Sequence, residues 1–261
     1  MKNAPNIETI DKSRHAKLKV LPNPDNAHVK AFNLVPVTIA ELGVCCGNYP
    51  VVFIQNPDRS MRPMALLGLM PGENVYYGKD RWESTYVPRM VQCHPFVIAF
   101  DDRLGDDSMV VTACLDKNSA FLSTEGEGQA LFTEAGEDTE FLTNANRMLQ
   151  DLYESEKATG EFIRQVDALG LISPLELAVK PQDADARRLT GMFVINENKL
   201  RELSTEQLQT LQKPGYLPAC YMMLSSMFQI PRLLKLRNLK DGEQIVDYRV
   251  ELTAQQAEAA N

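Results

Sequence analysis

The chain has 261 residues, enough for one large domain or two small ones, and 44% are apolar, which suffices for a substantial core. Its net charge of −8 disfavours non-specific attraction to nucleic acid or to anionic lipid. With 24% charged residues the composition is that of an ordinary soluble globular protein and excludes the low-hydrophobicity regime of disorder.

In chain order, residues 1–20 carry scattered charges and no apolar stretch of the length a secretory signal needs, so they read as a flexible arm. An extended segment follows, broken by Pro22, Pro24 and Pro36, because proline fixes φ and supplies no donor. Thr38-x-x-Glu41 is a capping box that starts a helix, and Gly47-Asn48 ends it. Residues 50–54 and 64–70 are apolar runs ended by turn residues and predict buried strands. Phe96 to Phe100 and Met109 to Cys114 flank the acidic segment 101–107 and predict an antiparallel hairpin. From Asp138 the apolar period becomes helical, with one helix through Tyr153 and a second over 158–169 ended by Gly170. Residues 171–179 read as extended. The polar stretch 181–187 is the best place for an internal boundary or surface loop. Met192 to Ile195 resembles a strand, Asn196 and Ser204 cap two short helices, and Tyr216 to Ile230 reads as a buried helix. Residues 244–252 alternate as one more strand before a disordered tail, 254–261.

The order predicts an α+β fold, mainly antiparallel sheet in the N-terminal half and helix-rich in the C-terminal half. The expected organisation is an arm at 1–20 and a single domain over 21–253. No segment reaches the roughly 20 apolar residues of a membrane span.

Residues able to carry chemistry are sparse. Only three histidines occur, His15, His28 and His94, with no metal-ligand spacing. Five cysteines include the adjacent pair Cys45-Cys46, which could form a strained bridge, although buried packing on a helix outweighs that reading. Asp101, Asp102, Asp106 and Asp107 could hold calcium but lack the spacing of an EF-hand loop, so a solvated hairpin end is the stronger reading. No glycine pattern for phosphate binding is present. No catalytic residue, metal or cofactor is therefore assigned. The methionine-rich segment with Met223 and Met227, together with Arg232 of a basic, leucine-rich run, offers a docking surface for a partner, against a competing reading as core.

Several pieces taken in order resemble the bacterial SapC family. They are Pro36 to Glu41, Tyr49 to Phe53, Gly68 with Glu73-Asn74, Trp82 with Tyr86-Val-Pro88, and Pro95-Phe96. The resemblance continues through Gly128, Leu131-Phe132, Gly136-x-x-Thr139, Leu189-x-Gly191, Leu200 to Leu211 and Gly215, covering about 34–236. It departs from the family's pattern at Gln92-Cys93-His94 and at Arg89-Met90. The resemblance implies a Gram-negative bacterial protein whose family takes its name from a locus for surface-layer protein export, distinct from the peptide-transporter permease of the same name. It implies no reaction and no catalytic residues. The resulting expectation is a soluble, cytoplasmic accessory protein that binds a protein or peptide client before export, with no nucleic-acid partner. The alternative is an enzyme acting on a small molecule or peptide, with Trp82, Tyr86 and His94 in one pocket.

Overall fold

The computed structural model describes residues 6–100, 111–240 and 242–253. The acidic segment with Asp101, Asp102, Asp106 and Asp107, and the tail 254–261, lie outside the described residues. In chain order, β1 (Ile7–Thr9), α1 (Lys12–His15) and β2 (Lys19–Val20) come first, with the Asp11 carboxylate capping α1. After β3 (Leu34–Pro36), Glu41 reaches back to accept the Thr38 amide at 3.0 Å, and a single 3-10 turn continues as α2 (Leu42–Cys46). The hairpin of β4 (Val51–Gln55) and β5 (Met61–Leu66) precedes β6 (Tyr77–Gly78) and β7 (Arg81–Trp82). Lys79 and Asp80 join the last two strands with φ of 50° and 57°, the geometry of a two-residue hairpin turn. Then come α3 (Arg89–Gln92), β8 (Phe96–Phe100), β9 (Val111–Asp116), β10 (Leu122–Ser123) and β11 (Gln129–Ala130). They lead into α4 (Glu140–Ala168), β12 (Ile172–Pro181), β13 (Arg187–Ile195), α5 (Glu197–Arg201) and α6 (Thr205–Gln212). The chain ends through α7 (Tyr216–Ser226), α8 (Ile230–Asn238) and β14 (Ile245–Leu252).

Contacts divide the chain into two compact units, 1–27 with 89–157, and 28–88 with 158–261. The first holds the sheet β1-β9-β8 and the small sheet β10-β2-β11. Its core gathers Phe96, Leu115, Leu131 and Phe132 with Leu142, Ala145, Leu149 and Leu152 of α4, the stripe read from the sequence. The second unit is built on the six-stranded sheet β14-β12-β13-β4-β5-β3, antiparallel at every pairing. Tyr49, Phe53, Phe162, Leu177 and Ile195 are all under 2% exposed in it. Ser226, fully buried on α7, accepts the amide of Val51 at 3.0 Å and so ties the helix to the start of β4. Strands and helices in this order make the α+β fold the sequence predicts, with β12, β13 and β14 adding sheet from the C-terminal half.

Three boundaries differ from the sequence reading. Residues 6–20 are not an arm, since β1 pairs antiparallel with β9, Ile7 opposite Asp116, and β2 is the middle strand of its sheet. Both pairings are far apart in sequence, where local pattern carries no signal. The two helices expected over 138–169 are one helix of 29 residues. The segment Glu154-Ser-Glu-Lys-Ala contains no breaker, and Ser155 satisfies its hydroxyl on the Asp151 carbonyl at 2.8 Å. The stretch 181–187 is the surface loop of the two readings the sequence allows, an exposed turn between the paired strands β12 and β13, and the unit boundaries fall at 27–28, 88–89 and 157–158. Chain 21–253 is accordingly divided between two units.

Candidate functional site

In the first unit four separate segments surround an open cavity of about 600 Å³. Its floor is apolar. Phe141, Asn144, Ala145 and Met148 line the cavity from the start of α4 at i, i+3, i+4 and i+7, one face of the helix. Ala145 is the small residue of that face, and it belongs to the core stripe as well. Phe96, at the start of β8, packs on Phe141 with ring centroids 5.7 Å apart. Residues 127–129 also line the cavity, and there Gly128 has a φ of 124° and approaches β2 closely. The positive φ favours glycine, and a Cβ there would lie a tight 3.1 Å from the Lys19 Cβ and from the Val20 carbonyl oxygen. The rim is formed by amide side chains, Asn23, Asn26, Gln92, Gln129 and Asn144, with Glu127 the one carboxylate.

His94 lines the same cavity, between α3 and β8. Its Nε2 lies 2.8 Å from the Ser119 hydroxyl, and its ring stands edge-on to Phe121 with centroids 5.7 Å apart. Burial pushes its pKa below the ordinary histidine value, and the Asp116 carboxylate pulls it partly back. The ring is thus held neutral near pH 7, able to donate or accept one hydrogen bond.

Trp82 and Tyr86 belong to the second unit and come together there. Trp82 Nε1 donates to the Tyr86 carbonyl at 3.0 Å and to the Tyr49 hydroxyl at 3.2 Å. The Tyr49 hydroxyl in turn donates to the Tyr86 carbonyl. Tyr49 meets Tyr76 edge-on at 4.8 Å, and the Arg232 guanidinium lies 5.9 Å from the Tyr76 ring centroid. The Tyr86 hydroxyl donates to Glu41 Oε2 at 2.9 Å, while Ser84 and Thr85 donate to Asn48 Oδ1. Burial raises the pKa of both Tyr49 and Tyr76, so neither phenol ionises in the working range. The bonds pin the segment after β7 onto α2 and the start of β4. This is packing chemistry, and it leaves the indole N–H and both partner oxygens engaged.

Met223 is 2% exposed and buried in α7, so it cannot belong to a docking surface. Met227 and Arg232 are half-buried. The exposed apolar side chains of this region are instead Tyr221, Met222 and Phe228, the last 84% exposed. A helical period fixes which residues share a face but not which face meets solvent, and the sequence reading placed Met223 on the wrong one.

The five cysteines are unbridged and buried. Burial raises the thiol pKa of Cys45 and pushes those of Cys46 and Cys220 up to about 12, which keeps them protonated and unreactive at neutral pH. Among the described residues no group of three or more His, Cys, Asp or Glu side chains could hold a metal ion, and no helix is long and apolar enough to cross a membrane. The cavity itself escaped the sequence reading, apart from His94.

These features define an α+β protein of two units with a ligand-sized, amide-rimmed cavity in the first. A model of the SapC family matches residues 10–233, most of the chain, and the chain belongs to that family. No curated protein and no solved structure matches it.

Proposed function

We propose that this protein is a non-catalytic binding protein whose first unit takes a short segment of a client polypeptide in the cavity beside His94. The observation that carries this reading is the lining. A floor of Phe96, Phe141, Ala145 and Met148 suits one large apolar side chain, and a rim of Asn and Gln side chains suits the donors and acceptors of an extended peptide backbone. About 600 Å³ lies within the range of small-ligand sites and matches two or three residues better than a folded surface. Glu127 and the chain's net charge of −8 favour a neutral or basic segment and disfavour nucleic acid. The family resemblance extends the proposal to a surface-layer or outer-membrane protein held in the cytoplasm before export. The enzyme reading has less support: His94 lines the first unit's cavity, whereas Trp82 and Tyr86 bond to Tyr49 and Glu41 in the second.

Panning a random-peptide library against the purified protein tests this. The expected result is an enriched motif with one aromatic or large aliphatic position, lost with Ala145→Phe, which fills the floor, and weakened with Asn144→Ala. A library that yields no motif, or a motif indifferent to both substitutions, overturns it.

A further inference from the structure

The edge of the six-stranded sheet carries a strand suited to a second copy of itself. β14 pairs with β12 on one side only, and among the described residues no strand pairs its outer edge. The Thr253 amide donates to the Pro174 carbonyl at 3.1 Å, so past the bulge at Lys180 the residues Asp247, Arg249 and Glu251 turn their backbone groups toward β12 and Tyr248, Val250 and Leu252 turn theirs outward. Among the described residues the outward Tyr248 amide is met by its neighbour, the Asp247 carboxylate at 2.9 Å. The side chains of Tyr248, Val250 and Leu252 share the sheet face of Val179, Leu177 and Leu175 across the strand pair. Those three on β12 are at most 4% exposed, yet their β14 neighbours are 37%, 40% and 48% exposed. The core layer therefore runs off the edge of the sheet uncovered. The Asn238 side chain bonds both backbone groups of Ile245 at the start of the strand, and from Tyr248 to Leu252 the edge invites another strand.

The charges on the opposite face say which strand. Asp247, Arg249 and Glu251 alternate in sign, and among the described residues neither Arg249 nor Glu251 forms an ion pair. Glu251 sits beside Glu176, which Arg188 already neutralises at 3.2 Å. We propose that two copies join β14 to β14 antiparallel about a twofold axis at Val250, making one continuous sheet across the dimer. In that register Val250 faces its own copy and Tyr248 faces Leu252 of the other chain, both as hydrogen-bonded rungs. Arg249 faces the second copy's Glu251 twice, at the non-hydrogen-bonded positions where side chains stand closest. The two exposed apolar rows pack side by side across the new strand pair, and both unpaired charges are matched. β14 lies outside the residues 10–233 that the family model matches.

Charge exchange tests the register. Sedimentation velocity of the full chain should show a dimer, and Arg249→Glu or Glu251→Lys should each weaken it by about tenfold or more, since each sets like charges opposite one another twice. An equimolar mixture of the two variants should restore a dimer, because glutamate at 249 then faces lysine at 251 and glutamate at 251 faces arginine at 249. Both substitutions are on exposed side chains, so unchanged thermal midpoints show that the fold is intact. A wild-type protein that stays monomeric at high micromolar concentration, including one that takes up an extended peptide instead, overturns the proposal, as does a mixture that fails to associate.

Discussion

The bond between Tyr86 and Glu41 offers the sharpest test of how the second unit holds its aromatic segment. Glu41 is 2% exposed, its Oε1 accepts the Thr38 amide, and its Oε2 accepts the Tyr86 hydroxyl at 2.9 Å and the Cys45 thiol at 3.7 Å. Tyr86→Phe deletes one hydrogen bond to an acidic acceptor, worth about 1.5–3 kcal/mol when buried. Tyr86 is half-buried, so the expected cost is at the lower end, about 1–2 kcal/mol. Glu41→Ala also removes the arm of the capping box and should cost about 2–4 kcal/mol. The informative quantity is their coupling. If the two side chains act on each other, the double variant loses about 1–2 kcal/mol less than the two single losses combined. Urea unfolding of the four proteins, followed by the fluorescence of Trp82, which bonds the Tyr86 carbonyl, measures this directly. A coupling within about 0.5 kcal/mol of zero would refute the reasoning, because additive losses mean independent sites.

Three further outcomes follow from the same structure. Burial lowers the His94 pKa, so the unfolded chain takes up a proton near pH 6.5 that the folded chain refuses. Stability from this group is complete above that pH and falls as the pH drops toward the folded value. His94→Gln should flatten the thermal midpoint between neutral and mildly acidic pH, and an unchanged slope would exclude the histidine as its source. Cys46 and Cys220, with thiols pushed up to about 12, should resist iodoacetamide in the native protein at pH 8 and react on unfolding; rapid native labelling read by mass spectrometry would contradict their burial. Gly68→Ala should lower the thermal midpoint, because a Cβ there would lie 2.3 Å from the Glu73 carbonyl oxygen and the backbone must shift. A cost of about 1–3 kcal/mol corresponds to roughly 2–12 °C in a chain of this size, and a midpoint within 1 °C of wild type would mean the close approach is absent.

What the sequence made legible was local. Thr38-x-x-Glu41 and Ser204-x-x-Gln207 announce their helices because the capping partners are three residues apart, and the structure shows Ser204 and Gln207 exchanging bonds at 2.9 and 3.3 Å. The stripe from Phe141 to Leu152 identified the core face of α4 for the same reason. The arm was misread because β1 is a strand only by virtue of β9, far along the chain. The cavity needs Asn23, Gln92, Gly128 and Asn144 brought from four segments, none of which carries a motif. Trp82 stood out as a family landmark, but its role, an indole N–H shared by the Tyr86 carbonyl and the Tyr49 hydroxyl, depends on α2 and β4 and so on tertiary structure.

The central claim is that the cavity beside His94 receives a polypeptide segment, and site-specific photo-crosslinking in the native host addresses it with the fewest assumptions. A benzophenone amino acid placed at Asn144, on the cavity rim, should capture a discrete client protein, whereas the same probe at Gln150, an exposed position of α4 outside the lining, should not. Capture of the same species from both positions, or of none from Asn144, would contradict the account.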